Sequence, residues 1–129
     1  MDTSRLLLDT HTLLWWSTNA KELSRKVRRF IQDDDTKVYV SAASAWEIAT
    51  KVRLGKLKWA GTESIESYCI SQRFECLPVL FTHGERAGSW ALAHGDPFDR
   101  ILAAQSEAEN IPIATNDPKL KSFGIDIVW

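Results

Sequence analysis

Cysteine is scarce: only Cys69 and Cys76 occur in 129 residues. They are not spaced as C-x-x-C, and no nearby histidine completes a zinc set. The sequence therefore argues against a disulfide framework, and buried free thiols in a reducing compartment are expected. No apolar run approaches the roughly 18 residues needed to cross a membrane. Met1-Asp2-Thr3-Ser4-Arg5 lacks the basic region and apolar segment of a secretory signal, so a cytoplasmic protein without membrane contact is expected. G-x-G-x-x-G and G-K-[ST] are both missing, which removes the phosphate cradles of dinucleotide and nucleoside triphosphate enzymes. Ser41, Ser44 and Ser89 stand in no G-x-S-x-G. His11, His83 and His94 form no H-x-x-x-H and have no evident link to a nucleophile.

Strong charge of one sign is also lacking. Sixteen Lys and Arg against seventeen Asp and Glu leave a formal charge of -1, unlike a dedicated basic DNA-coating protein. Local patches matter more than totals. Arg25, Lys26, Arg28 and Arg29 form one basic cluster, and Lys51, Arg53, Lys56 and Lys58 another. Such clusters are ordinarily solvated helix faces. Beside an acidic site they would hold a phosphate backbone and leave sequence choice to other contacts.

What is present is the composition of a globular domain, 44% hydrophobic and 26% charged. The length suits a single domain over residues 1–129. Leu6-Leu7-Leu8 reads as a strand covered on both faces. Thr10 is placed to cap a helix containing Leu13, Leu14, Trp15 and Trp16. Ser24 is placed to cap another carrying Val27, Phe30 and Ile31. Val38-Tyr39-Val40 is a second strand. Ser41 to Ser44 lead into a helix with Trp46, Glu47, Ile48 and Val52, ended by Gly55. A fourth helix is expected over Glu63 to Gln72. Cys76 to Val79 is a short strand that Pro78 assigns to an edge or an early end. Thr82 and Glu85 have capping-box spacing for a helix holding Ala87, Trp90, Ala91 and Leu92. Residues 125–129 form a last strand. This alternation predicts an α/β fold, with helices on both faces of a mostly parallel sheet.

The informative stretch runs from His94 to Asp117. Asp96 caps a helix, Pro97 takes its first position and Asp99 lies in its first turn. The helix ends near Asn110, because Pro112 cannot continue it. Ile113 and Ala114 form a short strand, followed by Thr115-Asn116-Asp117. Asp9 likewise follows the first strand directly. Ligands bind beyond the carboxyl ends of strands in open α/β sheets. In a parallel sheet Asp9, Glu47, Asp99 and Asp117 can therefore converge at one end. Glu47 stands among Ala45, Trp46, Ile48 and Ala49, and a carboxylate with apolar neighbours needs a partner. Clustered carboxylates repel unless a cation neutralises them, and all-oxygen ligation suits Mg²⁺ or Mn²⁺. Such a metal activates water and steadies charge on a phosphoryl oxygen. Each acid also has a plainer reading: Asp96 as a cap, Asp99 as a complement to the helix dipole, Glu47 as a surface or salt-bridged acid, Asp9 and Asp117 as turn residues.

Three segments together carry a resemblance. They are L-L-L-D-T-H-T-L-L-W at 6–15, S-A-A-S-A-W-E-I-A-T-K-V-R-L-G-K-L at 41–57, and H-G-D-P-F-D-R-I-L-A-A-Q at 94–105 with I-A-T-N-D at 113–117. In this order they resemble the PIN-domain family, nearest to VapC-type toxins of type II toxin-antitoxin systems. The resemblance spans essentially the whole chain. It implies a three-layer α/β/α domain and a Mg²⁺- or Mn²⁺-dependent endoribonuclease leaving 3′-hydroxyl and 5′-phosphate ends. It places the acidic site on Asp9, Glu47, Asp99 and Asp117. Asp96 would hold the metal through water or only cap its helix. Thr115 would lie near the metal and phosphate, with Thr10 and Ser41 as helpers and Arg100 as the basic neighbour of the site. Asn116 departs from the pattern, since relatives frequently carry arginine there, which bears on substrate contact. The resemblance further implies a homodimer and a small cognate antitoxin that sends a basic side chain towards the acids and carries any DNA contact. Trp15, Trp16 and Trp90 are candidates for the partner surface or the core. The rival readings are a PIN-fold nuclease in RNA processing or DNA cleavage, and a non-catalytic protein holding a basic peptide.

Overall fold

A computed structural model describes residues 4–59, 61, 63–91 and 94–129. The chain runs β1 (Arg5–Leu8), α1 (Thr10–Ser17), α2 (Arg25–Gln32), β2 (Lys37–Ser41), α3 (Ala42–Arg53) and α4 (Ile65–Ser71). It continues through β3 (Glu75–Leu77), α5 (Phe81–Ser89), α6 (Pro97–Glu109), β4 (Ile113–Ala114), a 3₁₀ helix (Pro118–Phe123) and β5 (Ile127–Val128). The strands lie in the order β3-β2-β1-β4-β5, and every pairing is parallel. β1 occupies the centre, bonded to β2 on one side and to β4 on the other.

The leucines of β1 explain the layering. Leu6 and Leu8 face the core formed with α1, α2 and α4, while Leu7 faces the opposite core with Leu102, Ala103, Leu120 and Phe123. Side chains alternate along a strand, so an unbroken apolar run requires helices on both sides. The result is the three-layer α/β/α architecture with a mostly parallel sheet. Among the described residues, no helix is long and apolar enough to cross a membrane.

Several local expectations are corrected. Asp9, not Thr10, caps α1: its backbone is extended and its side chain accepts from the Thr12 amide. α4 starts at Ile65 behind a Ser64 cap, two residues later than the expected Glu63. α5 starts at Phe81, so Thr82 and Glu85 lie inside it. Its first turn is fixed by buried His83, whose Nδ1 accepts from the Leu80 amide at 3.0 Å. That bond makes Nδ1 the unprotonated nitrogen and leaves Nε2 facing Glu109 Oε1 at 3.2 Å. Trp90 ends α5 and Ala91 lies beyond it, while the expected helical Leu92 lies outside the described residues. β3 stops at Leu77 on the sheet edge, one residue before Pro78, and β5 is shorter than the expected 125–129. Cys69 is buried, but Cys76 is exposed on β3, so only one thiol fits the buried expectation.

Candidate functional site

The strand order creates the site. The chain passes from β1 to β2 on one side, and β4 lies on the other. Loops leaving β1 and β4 therefore diverge above their carboxyl ends, which opens a crevice there. A cleft of about 430 Å³ lies at this point. Asp9, Thr10, Glu47, Asp96, Asp99 and Asp117 line it, together with His11, Lys51, Asn116 and Pro118.

Each carboxylate is held by the element that delivers it. Asp9 follows β1 and is 7% exposed. Its Oδ1 accepts from the Thr12 amide at 2.8 Å and lies 2.6 Å from Thr12 Oγ1. Thr12 Oγ1 also lies 2.9 Å from the Ala114 carbonyl, which joins the cap of α1 to β4. Burial pushes the Asp9 carboxyl above the ordinary carboxylate range, against hydrogen bonds from Thr12 and Thr115 that favour the ion. Glu47 is 5% exposed on α3. Its Oε1 accepts from Thr10 Oγ1 at 2.5 Å, and its Oε2 lies 2.6 Å from Lys51 Nζ. One helical turn separates Glu47 and Lys51, so the two side chains share a face. Asp99, in the first turn of α6, lies 3.0 Å from His94 Nε2 through its Oδ2. Burial again raises its carboxyl above the ordinary range. The charges of Asp96 and Asp9 add to that shift, and His94 opposes it. Asp117 caps the 3₁₀ helix by accepting from the Lys119 amide, and its own amide donates to Thr115 Oγ1.

The cleft thus gathers the four principal acids, Asp96 and Thr10. Asp96 also caps α6, accepting from the Phe98 and Asp99 amides. Thr115 is fully buried, bonded to Asp9 and to the Asp117 amide. Two other expected helpers are placed elsewhere. Ser41 caps α3 through the Ala43 amide and lines a separate cleft with Leu77 and Pro78. Arg100 is not among the residues lining the acidic cleft: its Nε, Nη1 and Nη2 donate to the carbonyls of Ala87, His94 and Trp90. Its role there is to tie α6 to the end of α5 and to His94.

Among the described residues, no three His, Cys, Asp or Glu side chains are grouped closely enough to hold a metal ion. Thr12, Lys51, His94 and the Lys119 amide each hold a different acid. Three residues of the site were missed in the sequence. Thr12 stands three positions after a cap, where a hydroxyl can turn back to it. Lys51 was legible from its i,i+4 spacing to Glu47, but the sequence places it only in the second basic cluster. His94 approaches Asp99 across a non-helical turn, and no spacing rule announces such a contact.

The raised carboxyls of Asp9 and Asp99 carry a pH prediction. A folded-state pKa above the unfolded one means that the folded protein binds more protons in the window between the two values. Their contribution to stability therefore falls as pH rises from about 3.9, the ordinary value for Asp. In EDTA, the melting temperature of Asp99→Asn relative to the parent protein should increase between pH 4 and pH 7. Parallel pH profiles for the two proteins would contradict a strained carboxylate.

The class defined so far is a doubly wound α/β domain with a carboxylate-lined cleft at its switch point. The chain belongs to the PIN-domain family, whose model matches residues 6–125. Solved structures share the fold. The chain is similar to one in a VapBC2 complex from Rickettsia felis bound to a fragment of promoter DNA, with 16% identity, TM-score 0.68 and 97% of each chain covered. It is also similar to a chain in FitAcB from Neisseria gonorrhoeae, with 19% identity, TM-score 0.61 and 96% of each covered. A toxin-antitoxin complex from Klebsiella pneumoniae matches at 14% identity and TM-score 0.55, covering 91% of this chain and 90% of that one. No curated protein matches significantly.

Proposed function

We propose that this PIN-domain protein is a divalent-metal-dependent endoribonuclease toxin, held inactive by a cognate antitoxin. The observation carrying the proposal is the meeting of Asp9, Glu47, Asp99 and Asp117 in one cleft at the switch point. Membership of the PIN-domain family supports it. The donor set is all oxygen, and the charge of Asp9 already disfavours ionised Asp99. Both properties fit Mg²⁺ or Mn²⁺. Asp9, Glu47, Asp99 and Asp117 would hold the metal, with Asp96 as a contributor through water. When bound, it would supply an activated water and neutralise charge on the phosphoryl oxygen.

The chain's own groups do the rest. Thr12 and Thr115 keep the Asp9 carboxylate aimed from the end of β1. His94 fixes the rotamer of Asp99. Lys51 balances the charge of Glu47 at the edge of the cleft. In the reaction, water oxygen bonds to phosphorus and the 3′-oxygen leaves, taking a proton, to give 3′-hydroxyl and 5′-phosphate ends.

The antitoxin reading draws on relatives described as toxin-antitoxin complexes, one of them on promoter DNA. A basic side chain of the antitoxin would satisfy the same acids without metal, and any DNA contact would be the antitoxin's. A homodimer completes the proposal. Trp15, Trp16 and Trp90 are half-buried and pack against Trp129, Phe74 and Phe123 respectively. The exposed rings of Trp46 and Phe81 instead offer apolar surface to partners.

The test incubates purified, antitoxin-free protein with cellular RNA in Mg²⁺, Mn²⁺ or EDTA and maps the cut ends. Metal-dependent cuts with 5′-phosphates are expected. A folded protein that binds metal and cleaves no RNA would overturn the proposal.

A further inference from the structure

The second basic cluster of the sequence is not absorbed by the acidic cleft. The structure places three of its lysines in a neighbouring groove of about 470 Å³, lined by Lys51, Lys56 and Lys58 with His11, Leu14 and Trp15. Among the described residues, no Asp or Glu lines this groove. It also shares Thr10, His11 and Lys51 with the acidic cleft, so the two are continuous. Lys51 stands at the junction, pairing with Glu47 on the acidic side. Lys56 and Lys58 follow α3 and are exposed. Gly55, with φ +73°, turns the chain immediately before them. The lining also carries rings: His11 lies 5.7 Å from Trp15, which packs in turn against Trp129 behind the lining at 5.7 Å, centroid to centroid.

A strand cut in the acidic cleft must continue past it on at least one side. A polyanion cannot run over further carboxylates without repulsion, and this groove offers three lysines in its lining. Single-stranded RNA is held by cationic tracks beside aromatic surfaces that take unpaired bases. We propose that the groove of Lys51, Lys56 and Lys58 seats the single-stranded RNA backbone next to the scissile phosphate, with His11 and Trp15 as the platform for an unpaired base. This rests on the ribonuclease reading of the acidic cleft and adds the path of the substrate. An acidic segment of a partner protein is the competing occupant. The rings favour RNA, because nucleobases stack on them.

The experiment measures binding of a fluorescein-labelled oligouridylate of about twelve nucleotides in EDTA, so that cleavage plays no part. The parent protein is compared with Lys56→Gln/Lys58→Gln and with Lys56→Arg/Lys58→Arg. Both lysines are exposed beyond the end of α3, so unchanged melting temperatures are expected for both variants. Each phosphate contact on a single strand contributes about 0.7 to the slope of log affinity against log salt. The Gln pair should lower the magnitude of that slope by about 1.4 and weaken binding about tenfold at low salt. The Arg pair should retain both. In cleavage assays the Gln pair should raise KM and leave kcat unchanged. RNA affinity and slope that ignore both substitutions would overturn the groove assignment. Loss of binding to an oligoglutamate peptide, with RNA binding intact, would also overturn it and assign the groove to a protein partner. The two readings fail separately. Lysine-dependent RNA binding without cleavage would keep the groove and sink the nuclease, while cleavage with unchanged KM in the Gln pair would do the reverse.

Discussion

Asp99→Asn is expected to lower metal-dependent RNA cleavage by at least about 100-fold, since even partners of metal ligands typically contribute 10- to 100-fold. The fold should survive. An Asn Oδ1 still accepts from His94 Nε2, and the variant removes a charge that burial, Asp96 and Asp9 all disfavour. Activity and stability therefore separate, which marks a residue strained for function. Asp9→Asn should behave alike, because Asn caps helices about as well as Asp and keeps the bond from the Thr12 amide. Asp9→Ala differs: it forfeits the cap of α1, worth about 1 kcal/mol, and confounds the two effects. The readouts are end-mapped cleavage in Mg²⁺ and thermal unfolding in EDTA. Full cleavage by a well-folded Asp99→Asn protein would remove Asp99 from the metal set.

The same particulars show what the sequence could convey. Leu6-Leu7-Leu8 followed by Asp9 was legible because an apolar run fixes both a central strand and its covered faces. The strand's end then fixes where an acid sits. Asp96, Pro97 and Asp99 were legible because caps are local. Rotation about a helix was harder to read. On α3, Trp46 is 61% exposed and Glu47 is 5% exposed, the inverse of their ordinary preferences. Glu47 is buried because Thr10 and Lys51 satisfy it, and Trp46 gains its contact edge-on from Phe98 of α6. The Lys51 pair is local to α3, but the Thr10 bond and the Phe98 contact come from α1 and α6. The cap of α5 failed in the same way: Thr82 and Glu85 have the right spacing, but buried His83 supplies the acceptor from within the helix. Spacing rules see one element at a time, whereas the Thr10 bond to Glu47, the Phe98 contact of Trp46 and the burial of His83 depend on neighbouring elements.

Arg100 is the clearest such case, and it carries the second large effect. It was expected beside the acids, yet its guanidinium binds three backbone carbonyls: Ala87 and Trp90 at the end of α5, and His94 beyond. These bonds act on Trp90 and His94 together with their ring contacts to Phe123, the Arg86 guanidinium over Trp90 and the Asp99 carboxylate beside His94. Hydrogen bonds to a charged donor contribute about 1.5–3 kcal/mol each, and they are not additive where one side chain supplies all of them. Arg100→Ala should therefore cost about 3 kcal/mol overall. Arg100→Lys should recover little, because an ammonium is a point donor without the planar fork that reaches several acceptors at once. The loss should also reach the site, since His94 is the group that orients Asp99. Where the Arg100→Ala protein remains folded at low temperature, its cleavage should fall although none of its acids has changed. The check is chemical denaturation together with cleavage at 10 °C. A variant with unchanged stability would refute the tie, and one that is destabilised but cleaves fully would show that Asp99 does not depend on it.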